Sequence, residues 1–129
     1  MRVRVVLVCA SIYMAVLGLG FIFAPQIIGI DAVPVDASPA LLAFLRIPGS
    51  AFIAISVMDF IARAVDHSPA RNAIVVANEI GFGLAAILNV VGVLTGGRPL
   101  ALLFCAIHLA FTISFLVAGR RGSHESQRN

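Results

Sequence analysis

The sequence predicts an all-α fold, an antiparallel bundle of four transmembrane helices with both termini in the cytoplasm. Three observations carry that prediction. Four apolar stretches, residues 5–23, 39–61, 71–94 and 99–118, each come close to the roughly 20 residues a bilayer crossing needs, and they fill most of the 129-residue chain. Hydrophobic residues make up 60% of the sequence and mean hydropathy is +1.05, which leaves little material for a water-soluble domain. All nine basic residues are arginines, and seven of them gather at alternate ends of those stretches. In hydrocarbon every backbone N–H and C=O must be satisfied internally, and the stretches lack strand alternation, so each is read as a helix.

The first span follows Arg2 and Arg4 and ends near Phe23-Ala24-Pro25. A cleaved signal peptide would stop sooner and show a small-x-small site; this apolar run continues to Ala24 and is read as a retained helix. Ser38-Pro39-Ala40 opens the second span and Ser68-Pro69-Ala70 the third, each placing an N-cap serine before a proline at the first helical position, where no N–H is needed. Gly96-Gly97 closes the third span and Gly97-Arg98-Pro99 opens the fourth. The connections over 25–38, around Asp66-His67 and over 95–98 are short, so consecutive helices are expected to be antiparallel neighbours in one domain, residues 1–121. Residues 122–129 are expected to form a disordered cytoplasmic tail.

Seven arginines (2, 4, 63, 71, 120, 121 and 128) belong to one set of ends and loops, against Arg98 alone in the other, with Arg46 inside a span. That bias puts the arginine-rich side in the cytoplasm and leaves Asp31 and Asp36 in an outer loop. The net charge of +3 forms neither a block nor a basic face, which argues against nucleic acid as a partner. Arginine without lysine suits a GC-rich bacterial source, and the expected location is the inner (plasma) membrane.

Small residues recur every fourth position in the third span (Ala73, Ala77, Gly81, Ala85) and in the fourth (Ala106, Ala110, Ser114, Ala118). Such stripes let helix backbones approach closely in lipid, either within the bundle or at a homo-oligomer seam. Cys9 and Cys105 fall at depths roughly 15 Å apart, too far for a disulfide, and are read as packing residues.

Arg46, Asp59, Glu79 and His108 are expensive in lipid and are expected to face the bundle interior or water. Depth counted from the helix ends places Arg46, Asn89 and His108 in an outer polar layer. Glu79 falls in an inner one with Ser11, Tyr13, Ser56 and Thr112. Asp59, nearer the cytoplasmic rim, is expected to pair with Arg63 four residues on. Pro48-Gly49 should kink the second span beside Arg46 and Ser50. Arg46 has three readings: snorkelling to Asp31 or Asp36, pairing with Glu79, or contacting a ligand. The candidate ligand-binding set is Arg46, Ser50, Glu79, Asn89 and His108. No cofactor, metal or catalytic residue is indicated. Cys105 and His108 share a helix face, but zinc needs a third protein ligand, and CxxC, HExxH, a glycine-rich phosphate loop and a Ser-His-Asp arrangement are missing.

Three segments, Leu17-Gly18-Leu19-Gly20-Phe21-Ile22-Phe23-Ala24-Pro25, Leu45-Arg46-Ile47-Pro48-Gly49 and Asn78-Glu79-Ile80-Gly81, give the chain a pattern that resembles the small bacterial DoxX-like and related four-helix membrane proteins. The resemblance implies a four-helix bundle of a kind sometimes associated with quinone-linked oxidoreductase complexes. Without a redox cysteine pair, no catalytic residue carries over. The expectation from residues and resemblance together is a membrane protein that binds, and if it oligomerises transports, an apolar or amphipathic molecule such as a lipid or quinone in a polar-lined cavity. The alternative is a non-enzymatic accessory subunit of a larger membrane complex.

Overall fold

A computed structural model describes residues 3–29 and 33–126, with side chains described as far as Arg120. It contains α1 (Val3–Phe23), α2 (Pro25–Ile28), α3 (Pro39–Ala62), α4 (Pro69–Leu94) and α5 (Ala101–Ser126), with no strand among the described residues. Helices α1, α3 and α4, and α5 over Ala101–Arg120, are long and apolar enough to cross a membrane. The chain is a multi-pass membrane protein by that criterion. In each of these four segments at most a third of the most apolar 18-residue window is buried within the chain, so the apolar residues left outside need hydrocarbon as their solvent.

Local chemistry explains the ends. Pro25 disfavours the helical conformation for the residue before it, and Ala24 sits at φ −141° and ψ 56°, closing α1. The single turn α2, which hydropathy did not anticipate, folds back so that Ile28 covers Gly20, where a Cβ would collide with it. The Ser38 Oγ accepts from the Leu41 N–H and the Ser68 Oγ from the Arg71 N–H, both at 3.2 Å, each ahead of a first-turn proline as expected. Ser38→Ala is expected to destabilise the fold by about 1 kcal/mol, read from unfolding in detergent micelles. Gly96 at φ +91° supplies the left-handed turn that ends α4. The fourth span begins at Ala101 rather than at residue 99, and α5 runs on to Ser126, past the hydrophobic boundary at 118.

The helices pack as two pairs, α1 with α3 and α4 with α5; α1 also touches α5, while α3 and α4 meet sparingly. Gly18 and Gly49 bring α1 and α3 into backbone contact, and α3 continues through Pro48. The core gathers Val3, Val6, Leu7 and Ala10 of α1 with Ala62, Val75, Phe82, Phe115 and Ala118. It therefore lies toward the end that carries the N-terminus and the α3–α4 loop, where Arg4 also meets Asp66 at 3.4 Å. At the other end Arg98 donates to the Ile28 carbonyl at 3.4 Å.

Most of the small-residue stripes stay outside the packing within this chain; of their eight residues Ala118 alone is in the core. Ala73, Ala77 and Gly81 are exposed, as are Ala106 and Ala110. The buried face of α4 is instead Val75, Asn78, Phe82 and Ala86. Two bulky side chains on that face fill the space between the pairs, and close approach to α5 is left to Gly83 against Thr112 and Gly119 against Val75. Cys9 is exposed and Cys105 buried, both as free thiols.

Candidate functional site

Polar side chains inside the spans gather in three places. The first joins α1, α4 and α5. Tyr13 Oη lies 2.9 Å from His108 Nε2, and Asn89 Nδ2 lies 3.1 Å from His108 Nδ1. Asn89 Nδ2 also donates to the Ala85 carbonyl at 2.7 Å, which fixes its nitrogen toward the ring. His108 Nδ1 therefore accepts, the ring proton sits on Nε2, and Tyr13 Oη accepts it, leaving the tyrosine's own proton uncommitted. Phe82 and Phe111 stack at 4.6 Å beneath this group, and Tyr13 packs on Phe111 with ring centres 5.3 Å apart. All three polar residues are half-buried.

Asn89 and His108 thus come together as depth suggested, but Arg46 does not join them. It is exposed on α3, and it makes no hydrogen bond or ion pair. Asp31, one of its two expected partners, lies outside the described residues. Ser50 is also exposed and turns its hydroxyl back to the Ile47 carbonyl at 2.7 Å, answering a carbonyl of its own helix rather than a neighbouring one. Tyr13 was placed with the inner layer. Tyr13 lies ten residues into α1 and His108 twelve before the end of the apolar segment of α5, about 15 and 18 Å from the same end at 1.5 Å per residue, so a division into two layers falls between neighbours.

The second place lies between α1, α3 and α4. Ser11 Oγ donates to the Ser56 carbonyl at 2.9 Å and Ser56 Oγ to the Ser11 carbonyl at 2.8 Å, a reciprocal clasp of two helices expected at one depth. One turn along α3, Asp59 is completely buried and its Oδ1 accepts from Asn78 Nδ2 at 2.7 Å. The expected Asp59–Arg63 pair does not form. The Arg63 guanidinium lies 3.8 Å above the Phe60 ring, and both Arg63 Nε and Asp59 Oδ2 are buried without a hydrogen-bond partner. The local i, i+4 rule pointed to Arg63; an inward-facing aspartate found an amide on the next helix instead.

Glu79 occupies the third place, a crevice of about 270 Å³ between α4 and α5 that it shares with Asn72, Leu116 and Arg120. It meets neither Arg46 nor the Ser11–Ser56 clasp. Where α3 and α4 diverge, an apolar groove of about 400 Å³ opens, walled by Ala54, Met58, Ile61, Ala62 and Ile74, with Arg71 at its rim. This groove had no signal in the sequence, because no spacing rule says which consecutive helices will stay apart. Among the described residues no three His, Cys, Asp or Glu side chains are placed to hold a metal.

The chain matches no protein-family model, and searches of curated proteins and of solved structures return no match.

Proposed function

We propose that this protein binds an amphipathic lipid, with a hydrocarbon chain in the α3–α4 groove and an anionic headgroup at Arg71. The groove is the observation that carries the reading: its volume of about 400 Å³ falls in the range of small-molecule sites, roughly 300–1,000 Å³, and its apolar wall includes Arg71, whose Nη1 donates to the Val65 carbonyl at 2.9 Å and leaves the rest of the guanidinium for a headgroup. Basic pockets between transmembrane helices on the cytoplasmic side suit anionic headgroups. The proposed topology has alternating helix directions and cytoplasmic termini. It is supported by pairings that ascend on one helix and descend on the next: Arg4 with Asp66, Ser11 with Ser56 and Gly18 with Gly49, then Gly83 with Thr112 and Val75 with Gly119. The arginine bias then sets Arg4, Arg63 and Arg71 on the inner side, in the inner membrane of a bacterial cell.

Native mass spectrometry of the full chain, extracted gently with phosphatidylglycerol present, tests the reading. Wild type is expected to retain the anionic lipid. Ala54→Trp, which fills the groove, is expected to remove it, and Arg71→Gln to weaken it about fivefold, since one arginine near an anionic headgroup contributes about 1 kcal/mol. Retention unchanged in both variants would rule the groove out; retention of a neutral quinone instead would change the ligand class.

The exposed Ala73, Ala77 and Gly81 on α4 favour a second reading, an assembly role in a homo-oligomer or larger membrane complex. Nothing within 4 Å would meet a Cβ at Gly81, so the face is open for a second helix. A stoichiometric partner chain in the same mass spectra, lost in Gly81→Leu, is the expected sign of it.

A further inference from the structure

The α4–α5 crevice offers opposite charges that do not satisfy each other. Glu79 is half-buried and makes no hydrogen bond or ion pair. It stands ten residues into α4, about 15 Å from the helix start at 1.5 Å per residue. A carboxylate at that depth is costly unless something pairs with it. Arg120 lines the same crevice, but it is exposed, it does not approach Glu79 within ion-pair distance, and it ends the apolar segment of α5. A guanidinium there keeps its head toward water.

The register orders the charges. A Cβ on Gly119 would stand 3.5 Å from Val75 Cγ1, so Arg120 lies near the level of Val75. Glu79 is one turn further along α4, about 6 Å deeper. Val75, Val76 and Leu116 wall the space between, and Asn72 stands at the mouth. A ligand that answers both groups carries a hydrogen-bonding cation inward and an anion outward, with little bulk around the cation.

We propose that this crevice is a separate binding site for a headgroup bearing a primary ammonium and a phosphate. The ammonium donates to the Glu79 carboxylate and the phosphate accepts from Arg120. Each contact is a charge-assisted hydrogen bond, and the carboxylate favours N–H donors over a methylated ammonium of equal charge. A phosphatidylethanolamine fits with its ethanolamine folded inward, its phosphate at the interface and its chains along the exposed Val76 and Ile80 side of α4. The same chemistry is carried by the water-soluble glycerophosphoethanolamine. The site is independent of the α3–α4 groove.

The test uses the full chain in nanodiscs containing phosphatidylethanolamine and phosphatidylcholine, read by native mass spectrometry. Wild type is expected to retain phosphatidylethanolamine about tenfold over phosphatidylcholine, the effect of one charge-assisted hydrogen bond. Glu79→Gln is expected to abolish that preference, and Arg120→Gln to lower retention of both lipids, since both carry phosphate. Equal retention by wild type, or a preference that survives Glu79→Gln, overturns the proposal. Unchanged retention in Arg120→Gln, a substitution at an exposed residue, overturns it even if Glu79→Gln fails to fold. Displacement of the lipid by glycerophosphoethanolamine assigns the site to a soluble ligand, and retention against it to the membrane lipid. Ala54→Trp must leave the preference intact; its loss there would place the lipid in the groove and overturn the crevice site.

Discussion

Gly49→Val is expected to destabilise the protein more than any other single-residue change on the α1–α3 face. A Cβ at Gly49 would stand 2.8 Å from the Gly18 carbonyl oxygen and 2.9 Å from Ile22 Cγ1, and one at Gly18 would stand 2.9 Å from the Gly49 carbonyl oxygen. The obstacle is backbone, which cannot swing aside as a side chain can, so the helices themselves must part. In lipid no hydrophobic drive holds them together, since hydrocarbon is as apolar as the interface; van der Waals contact and the Ser11–Ser56 clasp do that work. Overpacking a well-fitted site typically costs about 1–3 kcal/mol, and a clash with backbone belongs at the upper end of that range or beyond it. Unfolding in bicelles measures it. Gly81→Ala is the control: nothing lies within 4 Å of its Cβ, and alanine favours the helix by about 1 kcal/mol, so the variant is expected to be at least as stable as wild type. Equal stability of Gly49→Val and wild type would mean that α1 and α3 do not approach as closely as described.

Asp59→Ala carries the next largest effect. Asp59 is wholly buried, its Oδ1 accepts from Asn78 at 2.7 Å, and this contact bridges α3 and α4 where they otherwise barely meet. Removing the acceptor leaves one Asn78 proton without a partner, at a cost of about 1–3 kcal/mol, and adds a cavity. Asp59→Asn keeps an acceptor of the same shape and is expected to lose far less. Replacing both partners, Asp59→Leu with Asn78→Leu, is expected to recover most of the loss, because no polar group is then left stranded. A double-mutant cycle reads the coupling directly. If the two single substitutions simply add, the hydrogen bond contributes nothing to joining these helices.

The spans, their serine caps and their connections were legible because each depends on neighbours in sequence. Hydropathy over 20 residues, a serine ahead of a proline and a glycine after a helix are local signals. Two contacts between helices, Ser11 with Ser56 and Asn89 with His108, were legible from depth counted along the helices. Depth alone separated Tyr13 from His108, and the i, i+4 rule tied Asp59 to Arg63, which stacks on Phe60 instead. The alanine and glycine stripes suit a seam within the bundle or one between copies; Ala73, Ala77 and Gly81 face outward because Val75 and Phe82, on another side of α4, turn inward, while Ala118 of the second stripe joins the core.

The amino-acid order alone determined that this chain is helical and lives in lipid, since the cost of exposing some 20 apolar residues to water, or a bare peptide group to hydrocarbon, is too large for any packing to reverse. Tertiary structure decided which helices pair, that α3 and α4 stand apart over an apolar groove, and which costly side chains meet. Those outcomes turn on differences of a few kcal/mol between alternative rotations of helices that are apolar all round. Such differences depend on the shapes of facing residues far apart in the chain.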